Sequence, residues 1–296
     1  MIKVRVPATS ANMGPGFDTM GIGLNLYNYF YVEEIQEGLE ISGCEASLCN
    51  EDNLFFQSMV TCFSTVGYKF KGLNIRLEGD IPLSRGLGSS ATCIIGGILA
   101  ANEIAGKPLN MEEILDLAIQ IEGHPDNVAP ALFGGLVLST MDNNKVIYNQ
   151  VQIAKGLKFC GLIPDFTLST KEARAVLPKT VSYKDAVFNL SRSSLFVSAL
   201  MNGNFHIIPN SCKDRLHQPY RSKLIPGFNE IFEKSQELSS LATYLSGAGP
   251  TIMAILREDD NKYVNNIKEY LKDLHHKWDL IELKVDSRGA VVEKDS

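Results

Sequence analysis

Residues Pro82-Leu83-Ser84-Arg85-Gly86-Leu87-Gly88-Ser89-Ser90-Ala91-Thr92 combine two glycines and two adjacent serines at the head of an apolar run. Such a segment can turn with its amides exposed and enter a helix whose first N–H groups lack intrahelical partners, a setting that suits a phosphate. The same residues could equally form an ordinary capped helix start. A second cluster, Glu122-Gly123-His124-Pro125-Asp126-Asn127, sets two carboxylates, an imidazole and an amide close together. Glu122 ends a helical stripe, where the macrodipole opposes a carboxylate by about 0.3–1 kcal/mol, so a nearby cation would relieve it. A third, running from Pro7 to Asp18, is a turn-rich segment in which Asn12 and Asp18 could be ligand contacts or plain turn formers.

These residues need elements to hold them. Met1 to Val6 alternates apolar and basic residues and reads as a strand, not as the apolar core of a signal peptide. A second strand starts at Ile22, with Leu24, Leu26, Phe30 and Val32 on one face and Tyr27, Tyr29 and Tyr31 on the other. Asp52 or Asn53 can cap a helix through Val66 that Gly67 ends, and Leu73 to Leu77 forms a strand before the glycine loop. The helix from Ser89 to Ala105 carries Glu103 as its single charge, so it should be buried on nearly all sides and hold its N-terminus still for a ligand. Asn110 and Glu113 resemble a capping box, and Asp126 can cap a short segment up to Phe133. Leu136 to Leu138 is a strand.

A turn at Asp142-Asn143-Asn144 and the stretch to about residue 155 predict a domain boundary, dividing the chain into residues 1–152 and 153–296. The second part reads as a strand Leu157–Ile163, a helix Tyr183–Met201, a helix near 228–240, strands Ala242–Leu245 and Thr251–Leu256, a helix after Asp260 and a last strand Leu280–Val285. That order predicts an α+β fold with helices on one face of a mostly antiparallel sheet.

Composition narrows the partners. A hydrophobic share of 45% and a charged share of 21% over 296 residues are those of an ordinary globular protein. The net charge of −6 gives no reason to expect nucleic acid or an anionic membrane, so any anionic ligand must meet a built site. No apolar run reaches the ~18 residues of a membrane span. The cysteines at 44, 49, 62, 93, 160 and 212 form no C-x-x-C pair, which argues against zinc and for reduced thiols in a cytoplasm.

Several nucleotide loops can be compared with residues 82–92. Gly86-Leu87-Gly88-Ser89-Ser90-Ala91 fits G-x-G-x-x-G/A, but Glu78 to Arg85 separates the preceding strand from the glycines, unlike a dinucleotide fold. The chain has no G-x-x-x-x-G-K-[ST], H-R-D or D-F-G, which removes the Walker A and protein-kinase readings.

Three segments in order, Pro7 to Asp18, Pro82 to Ala91, and Leu245-Ser246-Gly247-Ala248-Gly249-Pro250-Thr251, resemble the three motifs of the GHMP kinase superfamily. The resemblance spans the whole chain. It implies a two-domain fold, the N-terminal part ribosomal-S5-domain-2-like and the C-terminal part ferredoxin-like, with ATP bound by the first. Within the superfamily, Ser10 to Asp18, Glu122 to Pro130, Lys171 to Pro178 and His217-Gln218-Pro219-Tyr220-Arg221 are most similar to the homoserine kinase family. That family usually has Glu where this chain has Gln218.

The resemblance implies ATP-dependent phosphorylation of the L-homoserine hydroxyl, in threonine biosynthesis, with Mg²⁺, in a cytoplasmic homodimer. Homoserine is a small zwitterion, and Arg174 and Arg221 can supply forked donors to its carboxylate. Asn12, Asp18, His124, Asp126, Asn127 and Thr251 are the matching positions for the rest of the substrate, and Asp126, Arg221 and Asn127 are expected in the chemistry. Residues 82–92 would cradle the nucleotide, with Asn53 toward the adenine and Ser89 and Glu122 on the metal. Magnesium accepts few protein oxygens beside water and phosphate, so one hydroxyl and one carboxylate suffice. Phosphoryl transfer is mostly positioning and charge neutralisation, so Asp126 could act as base or only anchor the substrate. The rivals are a GHMP kinase for another alcohol, which a substrate panel separates, and an inactive binding protein, which would have lost the metal carboxylate or the Gly-Ser-Ser run.

Overall fold

A computed structural model describes residues 1–143 and 145–294. Asn144, the last residue of the expected turn, and the two C-terminal residues lie outside the described residues. In chain order the elements are β1 (Ile2–Ala11), β2 (Met20–Ile35), β3 (Gly38–Ser42), α1 (Leu54–Val66), β4 (Gly72–Gly79), α2 (Ser89–Ile104), α3 (Met111–Glu122), α4 (Pro125–Phe133), β5 (Leu136–Asp142) and β6 (Lys145–Val151). There follow β7 (Leu157–Pro164), α5 (Thr170–Ala175), α6 (Tyr183–Asn202), α7 (Ile208–Ser211), α8 (Gln218–Arg221), α9 (Phe228–Glu237), β8 (Ala242–Leu245), β9 (Ile252–Arg257), α10 (Lys262–Leu271), β10 (Trp278–Leu283) and β11 (Val291–Lys294).

A seven-stranded sheet carries the first half. Its order is β11-β1-β2-β4-β3, with β5 pairing the start of β2 and β6 pairing β5. Among the described residues, only the β3–β4 pair is parallel. The register of β1 against β2 shifts between Pro7 and Ala8. That irregularity lets β2 bond β5 near Met20–Ile22 and β4 beyond Asn28. The second half forms a four-stranded antiparallel sheet ordered β10-β7-β9-β8, which is fourth, first, third, second along the chain, the ferredoxin-like order. The last strand, β11, which the sequence reading did not include, returns to the first sheet and pairs with β1.

Helix starts follow local chemistry. The Asn53 carboxamide caps α1 by accepting from the Phe55 and Phe56 amides, and Gly67 ends the helix at φ +70°. Asn110 and Glu113 form the expected reciprocal capping box on α3. Asp126 departs from expectation. It lies inside α4, whose cap residue is His124 and whose first position is Pro125, and its carboxylate accepts from His124 instead. Proline favours the first helical position because it has no N–H to satisfy, which places Asp126 two residues past the cap position.

Helix α2 is buried along nearly its whole length. A Cβ at Gly96 would meet the Phe30 ring, and one at Gly97 the Phe55 carbonyl, so the paired glycines admit α2 between β2 and α1. Ile94, Ile95, Ile98 and Leu99 then pack into one cluster with Phe30, Phe55 and Phe63. Burying a side chain of this size stabilises by about 1.5–3 kcal/mol each. The N-terminus of α2 is thereby fixed at the junction of the two sheets.

Candidate active site

Three loops meet at that junction. They are the turn after β1, the loop before α2, and the turn between β8 and β9. The Thr9 amide donates to the Leu87 carbonyl at 3.1 Å, Gly247 to Ala11 at 3.0 Å, and Thr251 to Arg85 at 3.2 Å. The Ser246 hydroxyl donates to the Gly86 carbonyl at 2.6 Å. Having spent its proton there, Ser246 accepts from Ser10 at 2.7 Å, and Ser10 in turn accepts from the Tyr244 hydroxyl at 3.2 Å. Burial pushes the Tyr244 phenol well above its usual range, consistent with a hydroxyl that only donates. Gly86 and Gly88 adopt φ +76° and +69°, and a Cβ would run into the Ser246 carbonyl or the Thr9 hydroxyl respectively. Both conformation and space therefore demand glycine.

The loop opens on a cavity of about 420 Å³. Leu83 to Gly86, Gly88 to Ser90, Cys44, Asn53, Glu122 and Asn127 line it, and Gly247 to Gly249 close one side. Pro82, Leu87, Ala91 and Thr92 are not among the lining residues, and Leu87, Ala91 and Thr92 are fully buried. Arg85 points its guanidinium to the Pro164 and Asp165 carbonyls, at 2.9 Å each, and so ties the loop to β7. Asn53 reaches the cavity wall with its carboxamide engaged by α1 and by the Leu48 carbonyl. The buried Ser89 hydroxyl has no protein partner. A buried orphan hydroxyl at a helix N-terminus is what a bound anion or its counter-ion would satisfy. Ser90 donates to Glu122 at 2.8 Å. Burial raises the Glu122 carboxyl above its ordinary value, against the pull of the Ser90 bond and of the His124 and Arg174 charges. Among the described residues, no group of three or more His, Cys, Asp or Glu could hold a metal.

The other end of the site is built from charged side chains. Asp18 and Arg174 form a two-pronged pair at 2.8 and 3.1 Å. Arg221 is 1% exposed. Its Nε donates to the Ala173 carbonyl at 3.1 Å and its Nη1 to the Gly247 carbonyl at 3.1 Å. Burial first, and then the Arg174 charge, lower it to about 10, so it remains a cation at neutral pH. His217 supports it. Its Nε2 donates to the Gly14 carbonyl at 2.9 Å, which leaves Nδ1 to accept from Arg221 at 3.4 Å. Burial pushes the His217 imidazole below its usual value and keeps it neutral. The Phe17 ring stacks on His217 at 5.2 Å, and both guanidiniums sit over it, Arg221 at 5.1 Å and Arg174 at 5.8 Å.

Asp126, 2% exposed, accepts from His124 Nδ1 at 2.8 Å, and that bond raises the imidazole above its usual value. Asp126 and Glu122 both lie within electrostatic reach of Arg174, which links the two ends. Asn127 accepts from the Thr9 hydroxyl at 2.8 Å. Asn12 spends its side chain on the Gly247 carbonyl and the Asp18 amide, holding the turn at φ +67°. The Thr251 hydroxyl is buried without a partner. Sequence reasoning passed over Thr9, Phe17, His217 and Tyr244 as individual site residues. Thr9, Phe17 and His217 stood inside quoted motifs, the one signal that could have found them. Gln218 accepts from the Leu245 amide at 2.7 Å through its carbonyl oxygen, a role that a glutamate fills equally well.

This two-sheet fold with three converging loops is that of a small-molecule kinase. Residues 53–135 match the family model "GHMP kinases N terminal domain", and residues 196–276 match "GHMP kinases C terminal". A homoserine kinase of Clostridium botulinum is 57% identical over 292 residues, covering 99% of this chain and 98% of the relative. That of Clostridium beijerinckii is 54% identical over 293 residues, with the same coverage. The crystal structure of homoserine kinase from Cytophaga hutchinsonii superposes with a TM-score of 0.86 at 28% identity, over 99% of this chain and 97% of that one. Methanococcus jannaschii mevalonate kinase, at 16% identity and a TM-score of 0.74 over 97% and 98% of the two chains, shares the fold. The chain belongs to the homoserine kinase family of the GHMP kinases, and is thus an ATP-dependent phosphotransferase. No described helix is long and apolar enough to cross a membrane.

Proposed function

We propose that the protein transfers the ATP γ-phosphoryl group to the side-chain hydroxyl of L-homoserine, yielding O-phospho-L-homoserine for threonine biosynthesis. The observation that carries this reading is the buried, pre-oriented Arg221 beside the Asp18–Arg174 pair. Two guanidiniums and a carboxylate gathered around the Phe17 ring match the ends of an amino-acid zwitterion, and a neutral polyol would leave the buried Arg221 without a counter-charge. In this reading Arg221 and Arg174 take the carboxylate, while Asp18, His124, Asn12 and Thr251 surround the rest of the substrate. Residues 82–92 cradle the phosphates, and Asn53 lies on the adenine side. Asn127, fixed by Thr9, and Asp126, fixed by His124, meet the hydroxyl, with Asp126 receiving its proton as the bond to phosphorus forms.

Ser89 and Glu122 would hold Mg²⁺. The orphan Ser89 hydroxyl and the half-buried carboxyl at the C-terminus of α3 fit a hard cation completed by phosphate oxygens. When bound, the ion neutralises charge on the transferring phosphate. The reading includes a cytoplasmic enzyme, and domains at 1–152 and 153–296 with β11 added to the first by its pairing. It also includes a homodimer. Tyr183, Val187 and Leu190, at 89%, 51% and 69% exposure, line one apolar face of α6 that a second copy could cover.

A coupled ADP-release assay across L-homoserine, mevalonate, galactose and shikimate tests the acceptor. We expect kcat/KM to be highest for homoserine. An equal or higher value for an alcohol without an amino-acid group overturns the assignment.

A further inference from the structure

A pair of nucleophiles stands at the rim of the nucleotide cavity, outside the phosphate and acceptor groups. Cys44 and Cys49 are both partly exposed free thiols, their Sγ atoms 3.4 Å apart across the 3-10 turn Ala46–Leu48. Cys44, Leu48, Asp52 and Asn53 line the cavity wall here. Asn53 knits them together. Its Nδ2 donates to the Leu48 carbonyl at 2.8 Å and approaches Cys44 Sγ at 3.9 Å, while its Oδ1 caps α1. The root of the segment cannot yield easily, because Gly43, at φ +82°, lies against the Leu77 carbonyl with no room for a Cβ. A disulfide needs the sulfurs at about 2.05 Å, so that contraction falls on residues 44–49, which carry the wall.

We infer that Cys44 and Cys49 form a dithiol modification site, which a peroxide-class oxidant converts to a disulfide that reshapes the cavity and weakens ATP binding. The Cys49 sulfur attacks one peroxide oxygen and gives up its thiol proton. The O–O bond breaks, leaving a sulfenic acid on Cys49 and a hydroxide that takes that proton to become water. Cys44 sulfur then attacks the Cys49 sulfur, the S–S bond forms, the S–O bond breaks, and the hydroxyl leaves as water with the Cys44 proton. Two thiols and one hydrogen peroxide thus become one disulfide and two waters, sulfur being oxidised and peroxide oxygen reduced. Burial, reinforced by the contact with Cys49, pushes the Cys44 thiol up to about 11. Cys44 therefore stays protonated at neutral pH, a poor first nucleophile, which leaves it the resolving role. Cys93 also lines the cavity, but burial pushes its thiol up to about 12 and makes it inert.

The thiol chemistry stands alone, and its effect on ATP rests on the nucleotide reading of the cavity. The test treats the full chain with hydrogen peroxide, removes the excess, and follows intact mass, iodoacetamide labelling, binding of a fluorescent ATP analogue and the two KM values. We expect a mass lower by about 2 Da, protection of both Cys44 and Cys49, and reversal by dithiothreitol. The ATP KM should rise about fivefold, with the homoserine KM within about twofold. Cys49→Ser and Cys44→Ala, each compared with itself before peroxide, should lose the 2-Da decrease and the rise in ATP KM, while Cys44→Ala still gains one oxygen at Cys49. The inference fails if Cys49 ends as a sulfinic acid with Cys44 still alkylated, if the KM change survives in Cys49→Ser, or if the disulfide forms with ATP binding unchanged. A reduced protein that binds no analogue, yet still forms the disulfide, overturns the nucleotide reading and with it the claimed effect on ATP.

Discussion

The two ends of the site are made of different materials. In the proposed reading the phosphate contacts come from backbone, namely Gly86, Gly88 and the first amides of α2, with side chains such as Ser246 and Arg85 serving to hold the loop. In the same reading the acceptor contacts come from charged side chains, and the backbone carbonyls of Ala173, Gly247 and Gly14 serve to hold them. A phosphate is common to every substrate of a kinase, so a cradle of amides that any phosphate satisfies is enough. An acceptor must be told from other alcohols, and that takes charges whose desolvation is repaid only by the right partner. The comparison leads to opposite expectations for small changes at the two ends.

The largest effect is expected from Gly88→Ala. The φ of +69° would be strained by about 1–3 kcal/mol, and the new methyl would displace Thr9, which orients Asn127. We expect kcat/KM for both substrates to fall by at least about 10²-fold, with a lowered melting temperature. A variant with near-normal ATP kinetics would break the idea that backbone shape makes the phosphate end.

Arg221→Ala should divide the two ends cleanly. Loss of the pre-oriented guanidinium should lower kcat/KM for homoserine by about 10²-fold while the ATP KM stays within about twofold. Arg221→Lys should restore little, because the Ala173 and Gly247 carbonyls and His217 fix a planar fork that a single ammonium cannot reproduce. A rise in ATP KM as large as that for homoserine would place Arg221 on the wrong side of the comparison.

What could be read in advance follows the same division. The capping box of Asn110 and Glu113, the cap of Asn53 and the burial of α2 depend on residues a few positions apart, so sequence spacing specifies them. The meeting of the three loops was carried by the family resemblance, since Ser10 and Ser246 are brought together only by the two sheets. Strands β3 and β11 escaped notice because each is short and lies at a sheet edge, stabilised by a distant neighbour more than by its own pattern. The same holds for Phe17 on His217, an aromatic stack across two hundred positions of chain. Asp126 was misread as a cap because the rule for acidic caps is local, and Pro125 sets the helix start two residues earlier.

A smaller effect links the ends through pH. The bond from His124 to Asp126 raises the imidazole, so the pair contributes stability that is fully present below the unfolded value near 6.5 and lost as pH rises through the higher folded value. His124→Gln, which cannot titrate, should thus be destabilised relative to the parent by about 0.5–1 kcal/mol at pH 6. The gap should narrow toward pH 9 in parallel chemical denaturations. A gap that widens with pH would mean that the imidazole is held neutral against Asp126.

The smallest effect is expected from Tyr244→Phe, which removes the first donor of the chain Tyr244, Ser10, Ser246, Gly86 carbonyl. The ring fills the same space, and Ser10 keeps its donated bond to Ser246 while losing one acceptor contact. The cost should be about 0.5 kcal/mol of stability. Because the Gly86 conformation is also set by the close approach of the Ser246 carbonyl, the cradle should keep its shape, and kcat/KM should stay within about twofold. A tenfold loss, with the fold intact, would show instead that a side-chain relay from the second sheet tunes the loop. The phosphate end would then depend on polar side chains much as the acceptor end does.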